Sequence, residues 1–152
     1  MINPTGSNVS EIKARTSGHV LCRIDVFDVG NEKPTIGVRL GDITLRVHSL
    51  DAINELHYAW TIAEDEMDGL PGYYEDLHVG GNPGLYRAHL LVDLPGVPAR
   101  STTRVRRTIH TPAHVRIQYG PLVWEVTDFT AWGDVQKTLT AAIDVFDAMD
   151  PR

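Results

Sequence analysis

The chain has 152 residues, 42% of them hydrophobic and 22% charged, a composition that gives a globular domain with its own core and excludes disorder and coiled coil. Its net charge of −6 opposes non-specific adhesion to nucleic acid, and one cysteine, Cys22, excludes an internal disulfide and fits a reducing cytoplasm. No apolar run approaches the roughly 18 residues of a membrane span, and the opening segment lacks the apolar stretch of a signal peptide, so a soluble cytoplasmic protein without a membrane partner is expected.

Residues 1–17 are polar, hold Gly, Pro and Ser, and show no period, which predicts a flexible N-terminal tail. The segment HVLCRIDVFDV from His19 then alternates, with Val20, Cys22, Ile24 and Val26 on one face, and is the first strand. GNEKP is a turn, TIGVRL a second strand, and Gly41-Asp42 a tight connection into ITLRVH, the third. Ser49 is a good N-cap, and Leu50, Ile53, Leu56, Trp60, Ala63 and Met67 recur at helical spacing. A helix over 50–67 follows, stopping at Asp68-Gly69.

Residues 69–84, GLPGYYEDLHVGGNPG, are loop-forming. Strands are expected over 85–94 and 102–110, and HVRIQY with PLVWEVT forms a hairpin about Gly120. Asp128 caps a second helix over 129–148, whose stripe of Phe129, Trp132, Val135, Leu139 and Phe146 places Trp132 in the core.

The segments from Gly41 and from Gly120 align without a gap, at an offset of 79 residues. Leu45 then matches Trp124, the cap Ser49 matches Asp128, and Ile53 matches Trp132. Half of such a pattern leaves an apolar face open, whereas two copies can cover each other. The expected fold is therefore α+β: a two-layer sandwich with two helices on one face of a largely antiparallel sheet. It is built from two pseudo-repeated β-β-β-α units, about 19–68 and 85–149, in a single domain over 18–152, as one six-stranded sheet or two abutting ones.

Candidate chemistry is thin. Cys22 is in phase with Val20 and Ile24, as a small hydrophobe would be. His110 and His114 are four apart, but Pro112 between them forbids the helix that would aim both at one metal ion. GGNPG at 80–84 leads into a strand rather than a helix N-terminus, so no phosphate cradle follows. The carboxylates Glu64, Asp65 and Glu66, and the pair Glu75 and Asp76, read as a solvated acidic face. No catalytic residue, metal ligand or cofactor is assigned.

Charge is distributed unevenly. Residues 51–76 carry acids and no Lys or Arg, while 94–124 carry five arginines and no acid. Alternation places Arg39, Arg46, Arg104, Arg106 and Arg116 on an open sheet face, as a basic patch facing either an acidic protein surface or phosphates. Tyr73 and Tyr74 in the long loop are expected as protein-contact anchors. The first expectation is a small non-enzymatic binding or regulatory protein acting through protein–protein contacts, with itself as a homodimer or with another chain. A nucleic-acid-binding module using the arginine-rich face is the second, and a small-ligand binder or enzyme with a site between the halves the third.

Overall fold

The structure, a computed structural model, describes residues 11–27, 34–75, 89–94 and 96–149. Among them the order is β1 (Ile12–Thr16), β2 (Cys22–Phe27), β3 (Thr35–Leu40), β4 (Ile43–Val47), α1 (Leu50–Ala63), β5 (Leu90–Leu94), β6 (Arg100–Val105), β7 (His114–Tyr119), β8 (Leu122–Val126) and α2 (Phe129–Met149). The strands form two mixed four-stranded sheets, in the orders β1-β8-β7-β6 and β2-β3-β4-β5. The fold is α+β, as expected.

Both central hairpins are made by local chemistry. β3 and β4, and likewise β7 and β8, pair antiparallel across two-residue turns that begin at Gly41 and Gly120, both at positive φ. At Gly120 the requirement is double: φ is +60°, and a Cβ would meet Pro98 at 2.9 Å. The strand order of one sheet matches that of the other element by element, and β3 with β4 and β7 with β8 occupy ranges 79 residues apart. This correspondence is one of position and order; duplication as its origin is an expectation it does not test.

Two strands depart from the expected grouping. Ile12–Thr16, assigned above to the flexible tail, is β1, which pairs in parallel with β8 from Ile12 beside Leu122 to Thr16 beside Val126. The ladder, which no local period announces, orders it. β5 pairs in parallel with β4, so the strand grouped with the second unit completes the first sheet. Residues 85–88 of that expected strand, and GGNPG at 80–84, lie outside the described residues. The strand expected over 102–110 runs from Arg100 to Val105.

The first helix is shorter than its apolar stripe. It ends at Ala63 and tightens into a 3-10 turn over Glu64–Glu66. Three consecutive carboxylates at the negative end of the helix dipole, with no basic residue in the last turn, disfavour further α-helix. Met67 is nevertheless fully buried, as the stripe required.

Each helix packs on the sheet its preceding strand does not belong to. α1 leaves β4 and lies against β6 and β7; α2 leaves β8 and lies against β2 and β3; the two helices also pack on each other. Trp60 on α1 meets Trp124 on β8 edge-to-face, with ring centroids 5.8 Å apart. The buried Tyr119 hydroxyl donates to Ala52 O at 2.7 Å, and burial and then the Glu55 carboxylate push its pKa up to about 12. Trp132 packs at the margin of the core, half-buried, and its indole N–H donates to Trp60 O at 2.7 Å.

Asp128 ties the elements together. Its side chain is buried; Oδ1 accepts from Ala131 N–H at 2.8 Å, the N-cap bond, and Oδ2 accepts from Gly18 N–H and Tyr74 N–H, both at 2.7 Å. The first two amides of α2 donate instead to loop carbonyls, Phe129 to Pro71 O and Thr130 to Gly72 O. The helix start is therefore satisfied by protein rather than by water. Asp128→Ala removes the acceptor for three amides at once and is expected to cost on the order of 3–5 kcal/mol. Urea denaturation followed by circular dichroism measures it; a loss of under about 1 kcal/mol would reduce Asp128 to an ordinary cap.

Candidate functional site

The expected basic face is not assembled. Arg39 and Arg46 belong to one sheet and Arg104 and Arg116 to the other, while Arg106 is exposed in the loop beyond β6. Arg39 Nε donates to Gly41 O at 3.0 Å. The Arg46 guanidinium lies 5.6 Å from the centre of the Phe27 ring, and its strand neighbour on β5 is Asp93. Arg116 pairs with Glu11, whose carboxyl the guanidinium hydrogen bond holds below the ordinary range. Along that row Arg15, Glu125 and Arg116 are neighbours in the ladders, so charge alternates in sign.

Arg104 points the other way from the expected open face. In the β6–β7 ladder Arg100, Thr102 and Arg104 stand beside Tyr119, Ile117 and Val115, which are buried in the core. Because β6 is an edge strand, its long cations reach past the layer to the helix. Arg104 Nη1 donates to Glu66 O at 2.8 Å and Asp68 O at 2.7 Å, satisfying carbonyls at the end of the 3-10 turn. Arg100 pairs with Glu55 at 2.9 Å and lies over the Tyr58 ring at 4.4 Å. The acidic and basic stretches thus meet inside one molecule.

The two tyrosines divide. Tyr73 is 59% exposed, with its ring against Gly18 and 6.2 Å from the His19 ring. Tyr74 is half-buried, pinned through its amide to Asp128, and forms part of a cleft that sequence reasoning missed.

This cleft, about 390 Å³, opens between the segment Gly69–Pro71, the β6–β7 loop and the end of β1. Arg15, Arg107 and His110 line it, with Tyr74, Thr108, Thr111 and Thr127, whose hydroxyl donates to Thr16 O at 3.2 Å. Leu70, Pro71, Ile109 and Pro112 add apolar wall, and among the described residues no Asp or Glu lines it. The β6–β7 loop is closed on itself: Thr108 N–H donates to Thr111 O at 2.8 Å, and Thr111 N–H returns to Thr108 Oγ1 at 3.0 Å. Its tip presents Ile109 at 95% exposure. The only sequence signal was the acid-free stretch itself; the other walls come from distant segments.

The histidines are mostly engaged singly. His114 is buried, with Nδ1 2.9 Å from Pro112 O and Nε2 3.2 Å from Glu125 Oε2, and is turned to different partners from the exposed His110. Among the described residues no group of three or more His, Cys, Asp or Glu could hold a metal ion. Burial pushes the Cys22 thiol pKa up, away from the thiolate a nucleophile needs. No protein-family model matches the chain, and comparisons with curated proteins and with solved structures find no match.

His57 provides a pH handle on the helix pair. Its Nε2 lies 3.1 Å from Thr140 Oγ1 and 3.2 Å from Gln136 Nε2 on α2, and burial lowers its pKa from the ordinary 6.5. The unfolded chain therefore binds the proton more tightly, so this contribution to stability is present above about pH 6.5 and lost as pH falls below it. Urea midpoints compared between neutral and mildly acidic pH should show a shallower decline for His57→Gln than for the parent. Parallel declines would refute the assignment.

Proposed function

We propose that the protein is a non-catalytic, regulatory binding protein of the cytoplasm that acts through protein–protein contacts, the first of them with a second copy of itself. One observation carries this reading: β5 is an edge strand among the described residues, and it presents Leu90 at 42% and Leu91 at 60% exposure. Edge strands are normally protected from pairing by charge or proline. β1 has Lys13 and Arg15, β2 has Arg23 and Asp25, and β6 has Arg100 and Arg104. β5, LLVDL, has only Asp93, and His48 already pairs with it.

The strand is also self-complementary. Leu90, Val92 and Leu94 stand beside Ile43, Leu45 and Val47, on the core side of the sheet. Two copies running antiparallel about Val92 set Leu90 against Leu94 of the other copy, apolar on apolar, and extend the core across the junction. The dispersal and pairing of the arginines favour this reading over a nucleic-acid surface, which needs its cations on one face. The unpaired thiol of Cys22 fits the cytoplasmic setting.

In the antiparallel pair Leu91 faces Asp93 of the second copy, so Leu91→Glu puts two carboxylates in opposition at each end of the junction. Light scattering across a concentration series should give twice the 16.9 kDa chain mass for the parent and the single mass for the variant, with circular dichroism unchanged. A monomeric parent, or a variant that dimerises as well as the parent, refutes the β5 junction.

A further inference from the structure

One buried imidazole joins the β6–β7 loop to a neighbouring strand. His114, the first residue of β7, is 2% exposed and stands on the side of the sheet away from the helices, since Val115, Ile117 and Tyr119 take the core side. Its Nδ1 lies 2.9 Å from Pro112 O in the loop, and its Nε2 lies 3.2 Å from Glu125 Oε2 on β8. A carbonyl oxygen has no proton to give, so Nδ1 is the donor there. A neutral ring carries one N–H, which would leave a bare Nε2 lone pair against a carboxylate oxygen. That contact is repulsive unless a proton lies in it. We propose that His114 is a proton-operated latch: with both nitrogens protonated it holds the β6–β7 loop to β8, and losing one proton releases the loop.

The charges around the ring bear on the cation in both directions. Glu125 supplies the opposite charge, with its side chain only 21% exposed. Arg116 on β7 and Arg15 on β1 are the ladder neighbours of Glu125 and oppose a further cation, but Arg116 is paired with Glu11 and Arg15 is likewise engaged. The ladder neighbour of His114 on β6 is Val105, which carries no charge. Arg107 and His110 stand exposed in the loop itself.

Among the described residues the hydrogen bonds of 106–112 otherwise close within the loop. Thr108 Oγ1 accepts from the amides of His110 and Thr111, and Thr108 N–H donates to Thr111 O at 2.8 Å. These bonds shape the turn but do not attach it to the sheet. Imidazole gains and loses its charge near neutral pH, so the loop that presents Ile109 and walls the cleft answers to acidity. This control is independent of the β5 junction.

The test is NMR of the isotope-labelled full chain from about pH 5 to about pH 8, following the His114 ring nitrogens together with the amides of Thr108 and Thr111. The exposed His110 ring gives a separate signal. Both His114 nitrogens should carry protons at the acid end. Loss of one as the pH rises should coincide with a fall of at least about tenfold in the exchange protection of the two loop amides, while the amides of β7 and β8 stay protected. Glu125→Gln keeps an acceptor beside the ring but removes its charge. It should bind the proton about tenfold more weakly and release the loop about one pH unit lower. A ring with one bare nitrogen at the acid end, a proton held across the whole range, or loop amides indifferent to its loss each overturns the latch. A Glu125→Gln loop that releases at the parent's pH overturns it too, because the Glu125 charge would then hold nothing.

Discussion

The Asp128 carboxylate is the constraint on which the arrangement of this molecule depends. Burying a carboxylate costs several kcal/mol, and here that cost is offset by three charge-assisted amide bonds and the positive end of the α2 dipole. The three amides come from three places: the connection between β1 and β2, the segment after α1, and the first turn of α2. One side chain therefore sets where the N-terminal strand joins its sheet, where the chain goes after its first helix, and where its second helix begins. The neighbouring bonds of Phe129 and Thr130 to Pro71 and Gly72 reinforce the same junction.

The cross-packing of the helices follows the same logic at larger scale. α1 covers β6 and β7 and α2 covers β2 and β3, so neither sheet is closed by the helix that directly follows its central hairpin. Trp60 and Trp124 fill the space where α1 meets the second sheet, and the Trp132 indole bridges to the Trp60 carbonyl across the helix pair. Neither half could exclude water from its apolar face alone.

This packing also changes the meaning of the charge asymmetry. In sequence, acids and arginines are segregated, which suggests two patches addressing two outside partners. In the fold, β6 lies along α1, and Arg100 and Arg104 reach Glu55 and the carbonyls of Glu66 and Asp68. Among the described residues, the edge of β5, with Asp93 as its one charge, stands apart from this neutralisation.

The sequence by itself determined the elements whose signals are local. β3, β4, β7 and β8 follow from two-residue alternation about Gly41 and Gly120, and both helix starts follow from a capping Ser49 or Asp128 ahead of an apolar stripe. What only the tertiary structure decided has no period to read. The parallel ladders of β1 on β8 and β5 on β4 join distant segments, and IKART shows as a strand only beside β8. Asp128 is legible as a cap through Ala131, three residues on, but its bonds to Tyr74 and Gly18 span 54 and 110 residues. Arg104 was misplaced for a related reason: alternation assigns two faces to a strand but does not say which one a helix from elsewhere in the chain will cover. The cleft was hidden for the same cause, since its walls come from segments whose proximity is set by packing and not by the order of residues along the chain.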